Sequence, residues 1–281
     1  MRAIPADFDP EAVAAIDGRL AAIRRGQRVA LPLVIESGSR AWGFPSPDSD
    51  YDCRFLFVRR EEDYLSLWPR RDVIETPLTG ELDVNGWDLG KALKLLLKGN
   101  AVVIEWLTSP IAYAVETAFR DDLLALARDH VDPRRIARHY LHLGERQRHV
   151  FLADDKPVSL KKIFYALRPA TALRWLRLHR GKTVAPMHFP SLMTDCDAPA
   201  DVRAITAELI ARKAVTRELG RAPLPRPLAA FIDGEFAFAR GTLPIRTPQL
   251  SDDAKRAAES LFQTWVHRFG SPSPDREGKR P

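Results

Sequence analysis

Cysteine is nearly missing from this chain: only Cys53 and Cys196 occur in 281 residues. Two thiols so far apart form neither a disulfide framework nor the paired spacing of a thiolate metal site, so a reduced, cytoplasmic setting is expected. Also lacking is any apolar run of about 18 residues, which excludes an ordinary membrane-spanning helix. The opening MRAIPADFDP carries no apolar core, and no signal peptide is expected there. No Gly-Lys-Ser or Gly-Lys-Thr follows the Gly-Ser turn at residues 38–39, which argues against phosphate-loop kinases and ATPases. No internal repeat is present.

What remains is an ordinary globular composition, 45% hydrophobic, with a formal net charge of +6. That balance is compatible with binding a nucleic acid or a nucleoside triphosphate and does not discriminate between them. The informative stretch is VIESGSRAWGFPSPDSDYDCRFLFV, residues 34–58. An apolar run ending at Ile35 predicts a buried strand, and Glu36 to Ser39 a tight turn for which Gly38 supplies the conformational freedom. A loop rich in Gly, Pro, Ser and Asp then leads to a second strand, Cys53 to Val58. Alternation along an extended chain turns Asp50 and Asp52 to one side. Adjacent carboxylates repel unless a cation or a shared proton relieves them, which points to a divalent metal. Small residues at Gly38 and Ser39 would let backbone N–H groups approach a phosphate beside that metal.

Gly-Ser followed about ten residues later by Asp-x-Asp resembles the signature of the polymerase-beta nucleotidyltransferase superfamily. More narrowly, GSRAWGFPSPDSDYD resembles the predicted nucleotidyltransferases of bacterial RNA repair. The likeness continues through LDVNGWDLGKALKLLLKGN and IEWLTSP and, more weakly, LKKIFYALRP. It implies an α/β catalytic domain with a small mixed sheet followed by an all-helical domain, and a third carboxylate on a neighbouring strand. Asp83 is the best match, with Glu81 and Asp88 close enough to compete. Asp50, Asp52 and Asp83 would then hold two magnesium ions, manganese being able to substitute. From the helical part, Lys161, Lys162, Tyr165 and Arg168 would join Gly38, Ser39 and Arg40 around the triphosphate and nucleoside. The implied reaction moves a nucleoside monophosphate from a triphosphate such as ATP to an acceptor hydroxyl, with RNA (tRNA ends) as the acceptor. The alternatives are a protein acceptor and a catalytically silent nucleotide or RNA binder.

Along the chain, residues 1–118 are expected to form the catalytic domain, residues 119–269 a helical nucleotide- and substrate-binding domain, and residues 270–281 a disordered tail. Helical periodicity predicts helices at Asp9 to Gly26, Leu89 to Gly99, Ala101 to Leu107, Asp121 to His130 and Asp132 to about Ala153. Further helices are expected at Ser159 to Gly181, Asp201 to Leu219, Leu228 to Ala239 and Ser251 to Phe269, with Arg221 to Pro227 a stiff connector. Lys91, Lys94 and Lys98 form a stripe, read as a solvated face ahead of an RNA contact. Lys161, Lys162, Tyr165 and Arg168 follow at spacings of three and four, so much of the set is expected to present one open polar face across a cleft, and spacing does not decide which lysine faces inward.

Overall fold

The first helix, α1 (Pro10–Gln27), begins where Asp9 accepts a hydrogen bond from the Glu11 N–H and a proline sits in the first turn. Its buried Ile16, Leu20 and Ile23 lie on one stripe, as the helical period requires. After it come β1 (Ala30–Glu36), the one-turn α2 (Gly38–Ala41), β2 (Tyr51–Val58), α3 (Glu61–Tyr64), β3 (Val73–Glu75) and β4 (Leu82–Asp88). The next group is α4 (Leu89–Leu97), α5 (Ala101–Leu107), β5 (Ala112–Val115), α6 (Thr117–His130) and α7 (Pro133–Phe151). The chain then runs through β6 (Val158–Ser159), α8 (Leu160–Leu178), α9 (Phe189–Asp195) and α10 (Ala200–Val215). It ends with β7 (Arg221–Ala222), α11 (Arg226–Thr242) and α12 (Asp252–Gly270). This computed structural model describes residues 1–152, 156–246 and 249–270.

The five long-sheet strands stand in the order β3-β4-β2-β1-β5. β2 and β4 are parallel and the other neighbours antiparallel, giving the small mixed sheet expected. α1 covers one face through Ile16, Leu20 and Ile23 against Val34, Cys53, Phe55, Phe57 and Val84. The opposite face, with Leu33, Ile35, Leu56 and Val58, opens into a larger core that continues through α4, α5, α7, α8 and α11. Apolar packing therefore passes across residue 118, where helical content begins to dominate. No described helix is long and apolar enough to cross a membrane.

Several boundaries differ from those the periodicity predicts. The expected Gly-Ser turn is the single-turn α2. β5 arises from a four-residue run too short for its period to distinguish strand from helix. The expected connector at Arg221 to Pro227 begins with β7, which pairs with β6 in a two-stranded ribbon inside the helical region. Gly270 closes α12 and is buried rather than opening a tail; the rest of the expected disordered segment, 271–281, and the expected helix end at Ala153 lie outside the described residues.

Candidate active site

Parallel pairing of β2 with β4 sets Asp52 directly against Asp83. Alternation turns both away from α1, because their neighbours Cys53 and Val84 are packed on the α1 side. Arg54 lies two residues beyond Asp52 and so shares its face. The Arg54 Nη2 donates to Asp52 Oδ1 at 2.8 Å and to Asp83 Oδ2 at 2.7 Å. Asn85, two residues beyond Asp83, donates to its other oxygen at 2.5 Å. Burial raises the Asp52 pKa; Arg54 opposes the rise, and the charges of Asp83 and Asp50 add to it.

Gly38 walls the site with a backbone at φ 59°, where a Cβ would lie 1.8 Å from Asp52 Oδ2. Replacing Gly38 with Ala is therefore expected to displace the carboxylate and to cost about 1–2 kcal/mol of stability through the left-handed backbone alone. An ångström of displacement at a reacting centre lowers turnover by about 100-fold; steady-state rates and a melting curve on the same preparation check both effects. On the far side of β2, fully buried Glu36 accepts the Asp52 N–H at 2.8 Å and the Tyr113 hydroxyl at 2.7 Å. Burial pushes the Glu36 carboxyl up to about 7 against those hydrogen bonds.

Asp50 stands just before β2, exposed. The backbone around it is pinned: Arg40 donates to the carbonyls of Ser49 at 2.7 Å and Asp50 at 3.2 Å. The same guanidinium lies over the Tyr51 ring, 3.9 Å from its centroid. Ser39 Oγ bonds Ser49 Oγ at 2.8 Å. Ser39 and Arg40 thus hold the loop that delivers Asp50 to the site.

From the helical region, α8 brings Tyr165 within electrostatic reach of Asp52 and Asp50; burial first, then those carboxylates, raise its phenol pKa. Lys161 Nζ sits 3.2 Å from Glu218 and 3.8 Å from Asp48, and Lys162 lies over the rings of Phe151 and Tyr165. Arg168 departs from the open polar face expected of it. It is 8% exposed, bonded to Glu105 Oε1 at 2.8 Å and placed over the Trp42 ring. The physical reason is that α8 is enclosed by α7, α9 and α11 from Ala166 onward, so position 168 turns into the core and needs a counter-charge there.

Among the described residues, no three His, Cys, Asp or Glu side chains are gathered closely enough to hold a metal ion. The structure instead joins Asp52 and Asp83 at one guanidinium nitrogen and leaves Asp50 exposed just before β2. The donor set still suits the expected metal, since hard carboxylate oxygens favour Mg²⁺ or Mn²⁺ and the shared group they already hold is a cation.

Sequence reasoning missed Arg54 and Asn85, although the two-residue strand period that paired Asp50 with Asp52 also reaches them. It had no local signal for Glu36 or for Lys213 of α10. Lys213 is 5% exposed, with its Nζ 2.6 Å from the Phe44 carbonyl, and it ties α10 to the loop after α2. Burial, and secondarily Lys161, pull its pKa down to about 8. Below pH 8 the folded chain must bury this group charged; between about 8 and 10.5 only the unfolded chain keeps the proton, so stability rises with pH across that window. The melting temperature of Lys213→Met relative to the unsubstituted protein is expected to fall over that range, and parallel curves would contradict this.

The sequence matches the RNA repair pathway DNA polymerase beta family (RlaP) over residues 13–263. It is also 39% identical, over 197 residues, to the uncharacterised protein YcgL of Bacillus subtilis (strain 168), covering 70% of this chain and 75% of that one. With paired strand acids, a glycine wall and a family match over most of its length, the chain belongs to the polymerase-beta-type RNA repair family.

Proposed function

We propose that the protein transfers a nucleoside monophosphate from a nucleoside triphosphate to the terminal hydroxyl of an RNA. The acceptor oxygen forms a bond to the α-phosphorus, the bond from that phosphorus to the β-phosphate bridging oxygen breaks, and pyrophosphate leaves. The observation that carries this reading is the convergence of Asp52 and Asp83 on one positive group, beside Gly38 and facing Tyr165.

In this reading Asp50, Asp52 and Asp83 hold Mg²⁺ or Mn²⁺, two ions in the superfamily pattern. When bound, such ions lower the pKa of an attacking hydroxyl and neutralise charge on the phosphates. The chain's own residues do the rest. Asp83, steadied by Asn85, orients the acceptor hydroxyl and takes its proton. Gly38 leaves room for the phosphates against the backbone, and Ser39 and Arg40 fix the loop carrying Asp50. Lys161 and Lys162 attract the triphosphate and Tyr165 lines the nucleoside side, while Arg168 positions α8 from within. Phosphoryl transfer asks mainly for such positioning and charge compensation.

The test is incubation with α-labelled nucleoside triphosphates, Mg²⁺, RNA bearing a free 3′ hydroxyl, and cell extract. Label entering RNA with stoichiometric pyrophosphate is the expected result. Label entering protein alone would make the chain a protein nucleotidylyltransferase, and nucleotide binding without transfer would make it a silent binder.

A further inference from the structure

A groove of about 510 Å³ opens at the end of β4 opposite Asp83. Lys91 and Lys94 of α4 and Lys98 at its C-cap line it together with Arg70. Spacings of three and four put the lysines on one stripe of the helix. Its acids are already engaged: Asp72 pairs with Lys91 at 3.2 Å, Asp63 with Arg70 at 2.8 Å, and Asp88 is buried, accepting from the Gly90 N–H and the Tyr64 hydroxyl. Lys94 and Lys98 are exposed, and no carboxylate among the described residues lies within ion-pair distance of either. Positive charge is thus left in surplus on the groove floor.

The rim carries a second feature. Trp68, between groove-lining Ser66 and Pro69, is 79% exposed, and Leu67 beside it 82%. A tryptophan so open is unusual, because its large apolar surface is normally covered. A flat aromatic face beside unpaired cations is the combination that holds unpaired nucleotides, the cations tracking phosphates and the ring stacking on a base.

We propose that this groove binds the sugar–phosphate backbone of the acceptor RNA, with Trp68 stacking on an unpaired base. The inference rests on the RNA reading above. Asp83 and Asp88 are five residues apart on β4, about 17 Å at the usual strand rise. At about 3.4 Å per stacked nucleotide, the groove engages RNA about five nucleotides from the reacting end. The stripe therefore holds the acceptor's body while the catalytic acids act on its tip.

The experiment measures affinity for a hairpin RNA with an unpaired 3′ tail, by fluorescence anisotropy across a salt series, and ATP binding separately. Neutralising both lysines, Lys94→Gln with Lys98→Gln, should weaken RNA binding about tenfold near 0.1 M salt and reduce the log–log salt slope by about 1.4. Trp68→Ala should weaken it by about tenfold with the slope unchanged, since stacking releases no counterions. ATP binding should be unaltered in both. RNA affinity and slope unchanged in the variants, including a case in which they lose a protein partner instead, would overturn the groove assignment and leave the RNA reading intact. Absence of RNA binding by the unsubstituted protein would overturn both.

Discussion

Asp52→Asn is expected to lower nucleotidyl transfer by about 1,000-fold or more while the fold survives. The amide keeps the shape of the side chain against Gly38 and can still accept a hydrogen bond from Arg54 through its oxygen. It loses the charge. A carboxylate that helps hold a divalent ion supports several kcal/mol of transition-state charge stabilisation, and each 1.36 kcal/mol is tenfold in rate. The stability cost is small for two reasons. The Asp52–Arg54 pair is partly open, with side-chain exposures of 27% and 18%, and such pairs contribute about 1 kcal/mol or less. Losing it is also offset by the end of repulsion from Asp83 and Asp50, both of which disfavour the ionised form of Asp52. A labelled-nucleotide assay beside a circular-dichroism melt reads the two quantities together. Unfolding of the variant at ambient temperature would show that Asp52 is structural; an unchanged rate would remove it from the chemistry.

The parts of the fold that could be read in advance are those with a long period. The stripe of Ile16, Leu20 and Ile23 announces α1, and the largely apolar run from Cys53 to Val58 announces β2. β5, β6 and β7, at two to four residues, are shorter than any period that could identify them. The pairing of Asp52 with Asp83 comes from strand register, which no local pattern encodes; likeness to a superfamily supplied Asp83 as a candidate. Arg54 was legible from the two-residue strand period, which places it on the face of Asp52. For Arg168 the helical spacing grouped it with Lys161 and Tyr165, whereas the fold turns it into the core. Spacing cannot say how deeply a helix is enclosed, and a buried partner 63 residues away, Glu105, leaves no mark on the sequence around it.

Arg168→Met is expected to destabilise the protein by about 3–5 kcal/mol, because removing one member of a buried ion pair strands the other. Glu105 is 8% exposed and would retain the Tyr140 hydroxyl, 3.2 Å from Oε1. Trp42, which now carries the guanidinium 3.8 Å above its ring, would lose that partner too. In a chain of this length, the loss corresponds to a melting temperature lower by about 6–12 °C. The double variant Arg168→Met with Glu105→Leu should recover most of it, since two apolar side chains of similar size leave no charge without a partner. Glu105 belongs to α5, Trp42 follows α2 and Arg168 belongs to α8, so one guanidinium joins the sheet-bearing part of the chain to the helix that carries Tyr165. The single variant should therefore lose nucleotide affinity as well as stability, and the double variant should regain stability ahead of affinity. Equal melting temperatures in all three proteins would mean that the pair is not buried as described.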